Sequence, residues 1–231
     1  ARTHREGKRL LVLGYMPVQL PPRRGRDDFS TRLYAEGYEE RCSIYDEDPV
    51  SVLRELWGGN FSLRREHLGA LGVVGDSHYH SDRELGNRLL EAGFVGEFDR
   101  SLRARHLHDR PLDAFSRDAR SQGAGRLLVH QLHEATLGPL PENAFEEGLP
   151  PSARKLLRAT RRPRFRQLVC SVLSLTVVAA GYARWWRGQD LAAKFLRRVE
   201  QQYGAIEAAK GRAWGRVRAY STQPETPVGS P

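Results

Sequence analysis

Apolar positions change their period several times along the chain, and each change marks an element. Leu10-Leu11-Val12-Leu13-Gly14-Tyr15 is nearly all apolar, which predicts a buried strand within residues 8–18 running into Met16-Pro17. Residues 20–28, with Pro21-Pro22 and Gly25, read as a polar loop. Phe29, Leu33 and Tyr34 share a face at helical spacing, predicting a helix over 29–45 with Asp28 or Ser30 as its cap. A short element over 49–56 leads to Trp57-Gly58-Gly59, then a short strand over 60–63 and a helical turn or two over 65–71. Leu85, Leu89 and Leu90 predict a helix over 81–92, stopped by Gly93. Residues 94–98 and 101–106 read as a strand pair turning at Asp99-Arg100, and 112–132 as a helix. Pro139, Pro141, Pro150 and Pro151 make 138–151 a linker. Helices follow at about 152–161, 166–187 and 189–210, the last with Leu191, Phe195, Val199 and Ile206 near one stripe. The Pro/Ser/Thr-rich tail over 221–231 is expected to be disordered.

Charge alters this picture by dividing it. The formal net charge is +9, but residues 1–150 carry 21 Lys/Arg against 24 Asp/Glu, while 151–220 carry 16 against 3. A near-neutral domain is therefore followed by a strongly basic helical region. The arginines of that region suit phosphate contacts, yet no zinc pattern, aromatic RNA-binding strand motif or helix-turn-helix accompanies them, so no specific nucleic-acid partner is expected. The two cysteines, Cys42 and Cys170, form no CxxC or secreted-scaffold pattern. A reduced cytoplasm is the expected compartment, with one long-range disulfide as the alternative. Residues 168–182 are mostly apolar, bracketed by Arg164, Arg166, Arg184 and Arg187 and followed by Trp185-Trp186. Three readings stay open for residues 164–187: a helix packed on the domain or on a dimer partner, a helix at the inner membrane surface, and a membrane span.

Candidate chemistry concentrates between Trp57 and His108, in Gly58-Gly59-Asn60, Asp76, His78, His80, Asp82, Glu84, His106 and His108. Gly58-Gly59 lets the backbone turn tightly and approach a ligand. Asp82 and Glu84 fall in the first turn of a helix, where the dipole and free N–H groups favour carboxylates whether or not they do chemistry. The histidine pairs suit metal ligation or plain solvation. A histidine-rich metal hydrolase is disfavoured, because no ligand helix of the H-E-x-x-H kind is present.

Order adds what the single pieces lack. Trp57-Gly58-Gly59-Asn60-Phe61-Ser62-Leu63-Arg64-Arg65-Glu66 precedes Ser81-Asp82-Arg83-Glu84-Leu85-Gly86-Asn87-Arg88-Leu89, then Ala92-Gly93-Phe94 and Arg105-His106-Leu107-His108. Over residues 8–135, and most strongly over 56–108, this series resembles the C-terminal half of family-two glycosyltransferases and the galactosyltransferase C-terminal region. The resemblance implies an α/β fold: a partial GT-A (Rossmann-like) domain over 1–138, then a linker over 139–151, a basic helical appendage over 152–220 and the tail. It implies hexosyl transfer from a nucleotide-sugar donor to a glycan or lipid-linked acceptor with inversion, and Asp82 as general base. Trp57, Gly58, Gly59, Asn60 and Glu84 are implied to bind substrate. His106, and more weakly His108, are implied to ligate a divalent Mg²⁺ or Mn²⁺.

Two positions depart from that pattern. Ser81 stands where the family has the first acid of a Glu-Asp pair, and Arg103 where galactosyltransferases offer a methionine ligand. The nucleotide-binding half and its Asp-x-Asp motif are expected upstream of residue 1, and Asp27-Asp28 and Asp46-Glu47-Asp48 read as surface loops. A non-catalytic remnant or interaction module is the competing reading.

Overall fold

A computed structural model describes residues 9–70 and 80–211. His78, Asp76 and the 221–231 tail lie outside the described residues. The chain is a mixed α/β protein, with a small sheet at one end and packed helices at the other.

Strand β1 (Leu10–Tyr15) is the middle of a three-stranded sheet. Its central position explains the unbroken apolar run, since a strand flanked on both edges and covered on its faces has no polar side. Helix α1 (Phe29–Glu47) and helix α2 (Pro49–Arg54) follow. Asp48 separates them: its side chain accepts from Val50 N at 3.0 Å, and Pro49 occupies the first turn of α2. Asp46-Glu47-Asp48 is therefore not a loop. Asp46 and Glu47 end α1, and Asp46 takes an ion pair from Arg100 at 2.6 Å.

Strand β2 (Phe61–Leu63) pairs antiparallel with β1, placing Leu13 opposite Phe61. Short α3 (Arg65–Ala70) follows, then α4 (Ser81–Glu91) and β3 (Val95–Arg103), which runs parallel to β1. The expected hairpin at Asp99-Arg100 does not form. Asp99 Oδ1 instead accepts from both Ser101 N and Ser101 Oγ, at 2.8 and 2.6 Å, closing a local bulge. The register slips there, from Gly14↔Asp99 to Tyr15↔Arg103, and the strand continues in one direction. Leu11, Leu13, Val52, Leu53, Leu56, Leu85, Leu89 and Phe94 form the core between the sheet, α2 and α4.

Helix α5 (Leu112–Leu132) and short α6 (Glu134–Leu137) lead to α7 (Pro151–Ala159), α8 (Pro163–Tyr182) and α9 (Trp186–Ala209). The expected linker carries the buried residues Ala144, Phe145 and Glu146, and Phe145 packs with Leu157, Val199 and Ala205. A second cluster joins Phe29 and Leu33 of α1 to Phe115, Val177, Ala192 and Ala193. The basic helices thus share a core with α1 and α5. His133, just past α5, donates from Nδ1 to Glu91 Oε1 at 2.8 Å, tying this bundle to the end of α4. Both cysteines are free: Cys42 is buried in α1, and Cys170 is half-buried in α8.

Candidate functional site

Parallel β1 and β3 end side by side, and the chain beyond each continues the pairing: Val18 bridges His106, and Gln19 N donates to His106 O at 3.1 Å. The turn before β2 reaches the same end of the sheet, because β2 is antiparallel and begins opposite the end of β1. Gly14 N donates to Asn60 O at 2.7 Å, and Asn60 Nδ2 donates to Leu102 O at 2.9 Å. Asn60 thereby clamps β1 to β3 where both strands finish.

Gly59 holds φ +147°, a backbone conformation that L side chains rarely adopt, and a Cβ there would come within 2.5 Å of Met16 Cε. Gly58 approaches α4 closely: its N–H donates to Asp82 Oδ2 at 2.8 Å, and a Cβ would lie 2.9 Å from Asp82 Cβ. The other oxygen, Oδ1, accepts from Arg83 N at 2.8 Å. Each carboxylate oxygen keeps a further lone pair for another donor. Asp82 is not the cap of α4. The N-cap is His80, held at φ 63° without a side-chain cap bond. Burial pushes the His80 imidazole below its ordinary range, against the opposing pull of the Asp82 carboxylate.

An aromatic wall completes the site. Trp57 Nε1 donates to Tyr34 OH at 2.8 Å, with Trp57 edge-on to both Tyr34 and Tyr38. The Tyr34 ring stacks on His108 at 4.3 Å and meets His106 edge-on at 4.9 Å. Tyr38 OH accepts from Met16 N at 2.6 Å. The loop behind His106 is pinned to the start of α1, where Thr31 Oγ1 donates to His108 O and Ser30 Oγ to Arg110 O. Tyr34 and Tyr38 were not among the sequence candidates. Their spacing of four on α1 was the available signal, and it reads equally as core.

The structure therefore brings Trp57, Gly58, Gly59, Asn60, Asp82, His106 and His108 together. Glu84 points elsewhere: its carboxylate pairs with Arg88 at 2.5 Å and lies 3.6 Å from His133 Nε2. Arg83 forms an ion pair with Glu55, which Arg41 also approaches at 3.3 Å. Burial and the neighbouring Arg41 and Arg126 push the Arg83 guanidinium down to about 9.

For a metal, the histidines supply part of what is needed. Their rings are 5.9 Å apart, and both Nδ1 atoms are buried without a hydrogen-bond partner. Burial, aided by Arg110, lowers both imidazoles and keeps them neutral, the form that ligates. Among the described residues no group of three or more His, Cys, Asp or Glu side chains forms around them. Mg²⁺ and Mn²⁺ favour oxygen ligands. The described residues alone thus do not fit a complete site for either ion.

Burial pushes the His108 imidazole from 6.5 down to about 4. The folded state prefers the neutral ring, so the stability linked to it is complete above pH 6.5 and is lost as pH falls towards 4. The urea midpoint is expected to fall through that window, and more gently in His108→Phe, which keeps the stacking on Tyr34. An identical pH slope in the variant would remove His108 from this account.

Compared with protein-family models, curated proteins and solved structures, the chain matches none of them.

Proposed function

We propose that this chain is the acceptor-side half of a GT-A glycosyltransferase domain, transferring a hexose from a nucleotide-sugar to a hydroxyl of a glycan or lipid-linked acceptor. One observation carries the reading. Residues 57–60, Asp82 and His106 are distant in sequence, yet they converge at the carboxyl ends of β1 and β3. Open α/β sheets bind their ligands at that edge.

In this reading Asp82 is the general base. The acceptor hydroxyl attacks the anomeric carbon in line, its proton passes to Asp82, and the bond to the nucleoside diphosphate breaks with inversion. The N–H groups of Gly58 and Arg83 fix one lone pair on each oxygen, so the carboxylate is oriented before the acceptor arrives. Trp57, Gly59 and Asn60 floor the place where donor sugar and acceptor meet, with Tyr34 and Tyr38 behind Trp57. His106 would be this chain's contribution to holding a divalent ion, whose chemistry there would be neutralisation of diphosphate charge, with the remaining ligands coming from outside the described residues. His108 orients Tyr34. Glu84, engaged by Arg88, supports α4 rather than substrate.

Calorimetric titration of UDP-sugars, GDP-sugars and dTDP-rhamnose with Mn²⁺ into the product of the complete reading frame tests the proposal. Binding of at least one donor is the expected result. A folded protein that binds none of them would return the chain to the interaction-module reading.

A further inference from the structure

Helix α8 has two unlike faces. Val177, Ala180 and Gly181 are buried, Leu173 packs on the core, and Arg166 lies over the Tyr203 ring of α9 at 3.6 Å and pairs with Glu200 at 3.8 Å. The opposite face carries Phe165, Leu168, Val172, Leu175, Val178 and Tyr182, alternating by three and four residues apart from Val178. That stripe is open: Leu168 is 60% exposed, Leu175 70% and Tyr182 66%, and Trp185 continues it at 60%. Arg26 lies over the Tyr182 ring at 4.7 Å, and the rest of the stripe stands exposed. An apolar stripe this long is not typical of a free surface.

Charge identifies its occupant. Between Glu147 and Asp190 the sequence holds no carboxylate. Arg161, Arg162 and Arg164 stand exposed at one end of the stripe, and Arg184 and Arg187 at the other. Among the described residues no acidic side chain comes within 4.0 Å of these five. A second copy laid against the stripe would set arginine clusters against arginine clusters in either direction, a repulsive arrangement. An anionic lipid surface answers both features: basic residues draw it in, and the apolar stripe enters the acyl boundary with Phe165 and Trp185 at headgroup level.

We infer that the outer face of α8 docks this protein on an anionic membrane surface, lying in the interface rather than crossing it. Pro163–Tyr182 is long and apolar enough to span by length and composition. Spanning, however, would pull Arg166 from Glu200, which keeps Arg120, and carry the unpaired Arg166 charge towards hydrocarbon. A cavity of about 450 Å³ shares Val178 and Tyr182 with the stripe and reaches Phe29, Asp109, Pro111 and Leu112, next to the loop after His108. Docking would therefore bring the bilayer to the rim of a cleft beside the candidate site. The inference rests on α8 and the residues flanking it and does not depend on glycosyl transfer.

Co-sedimentation of the full chain with vesicles of phosphatidylcholine, with and without phosphatidylglycerol, tests it. Binding to the anionic vesicles alone is expected, with loss in Leu168→Asp/Leu175→Asp. Arg184→Gln/Arg187→Gln should weaken it about tenfold or more. All four positions are exposed, so folding is expected to persist, checked by circular dichroism. Equal binding of wild type and the aspartate variant would overturn the inference. So would absence of binding, whether with a dimer that Leu175→Asp dissociates or with a monomer. Retention in the membrane after alkaline carbonate would overturn it in favour of a span.

Discussion

Asp82→Asn is expected to lower hexosyl transfer by roughly 100- to 10,000-fold while donor affinity and fold persist. The substitution is nearly isosteric. The amide oxygen can still accept from Gly58 N–H, so the contact between the Gly-Gly turn and α4 survives. What is lost is the acceptor of the Arg83 N–H, which now faces the amide nitrogen at the first turn of α4, and the ability to take a proton, because an amide is not a base at neutral pH. Turnover and calorimetric donor binding, measured side by side, separate the two consequences. Loss of both together would mark Asp82 as a structural contact. Retention of most of the turnover would remove it from the chemistry.

The largest expected loss of stability comes from two glycines far from that site. Helices α5 and α9 make the most extensive helix contact in the molecule, and they approach through Gly123 and Gly204. A Cβ on Gly123 would overlap the carbonyl oxygen of Gln201, and one on Gly204 that of Arg120. Both obstacles are backbone within long helices and cannot swing away. The same crossing holds Arg120 to Glu200 at 2.8 Å and Gln201 to Gln122 at 2.9 Å, which any separation of the helices would stretch. Gly204→Ala and Gly123→Ala are each expected to cost about 2 kcal/mol net, since overpacking against fixed backbone falls at the upper end of about 1–3 kcal/mol and outweighs the roughly 1 kcal/mol gain in helix propensity. Gly37 in α1, whose added Cβ would meet nothing within 4 Å, is the control: Gly37→Ala should stabilise by about 0.5–1 kcal/mol. Denaturant midpoints read all three. A Gly204→Ala protein as stable as wild type would contradict the α5–α9 packing.

Those glycines show where sequence reading ran short. A glycine within a helical pattern reads as a weak point, and nothing local reveals that another helix needs its missing side chain. The strands and helices that pack by their own period were legible: β1 from its apolar run, and α4 from Leu85, Leu89 and Leu90. Helix α9 was legible as a helix, but its expected stripe was not its packed face, since Leu191 stands 60% exposed while Ala192, Ala193, Leu196 and Val199 are buried. Asp99-Arg100 looked like a hairpin because turn residues interrupt the strand. The Asp99 side chain instead satisfied the backbone of Ser101, so the chain kept its direction beside β1.

At the candidate site Gly58 and Asp82, both singled out in the sequence, touch each other. Glu84 went astray because two carboxylates in one helical turn look alike in sequence, while Arg88 and His133 capture only one. Tyr34 and Tyr38 were hidden by being aromatic at helical spacing, a pattern that core residues share. The linker prediction failed at Phe145, an apolar residue among prolines, which found a pocket between α7 and α9.

Release of nucleoside diphosphate from a panel of nucleotide-sugars tests the central claim most directly. It would be followed with Mn²⁺ or Mg²⁺ in the product of the complete reading frame and in its Asp82→Asn variant. The account predicts at least one donor turned over by the wild type, with the variant slower by two or more orders of magnitude at unchanged donor affinity. A folded wild type that turns over none of the donors, or a variant that keeps pace with it, would contradict the account.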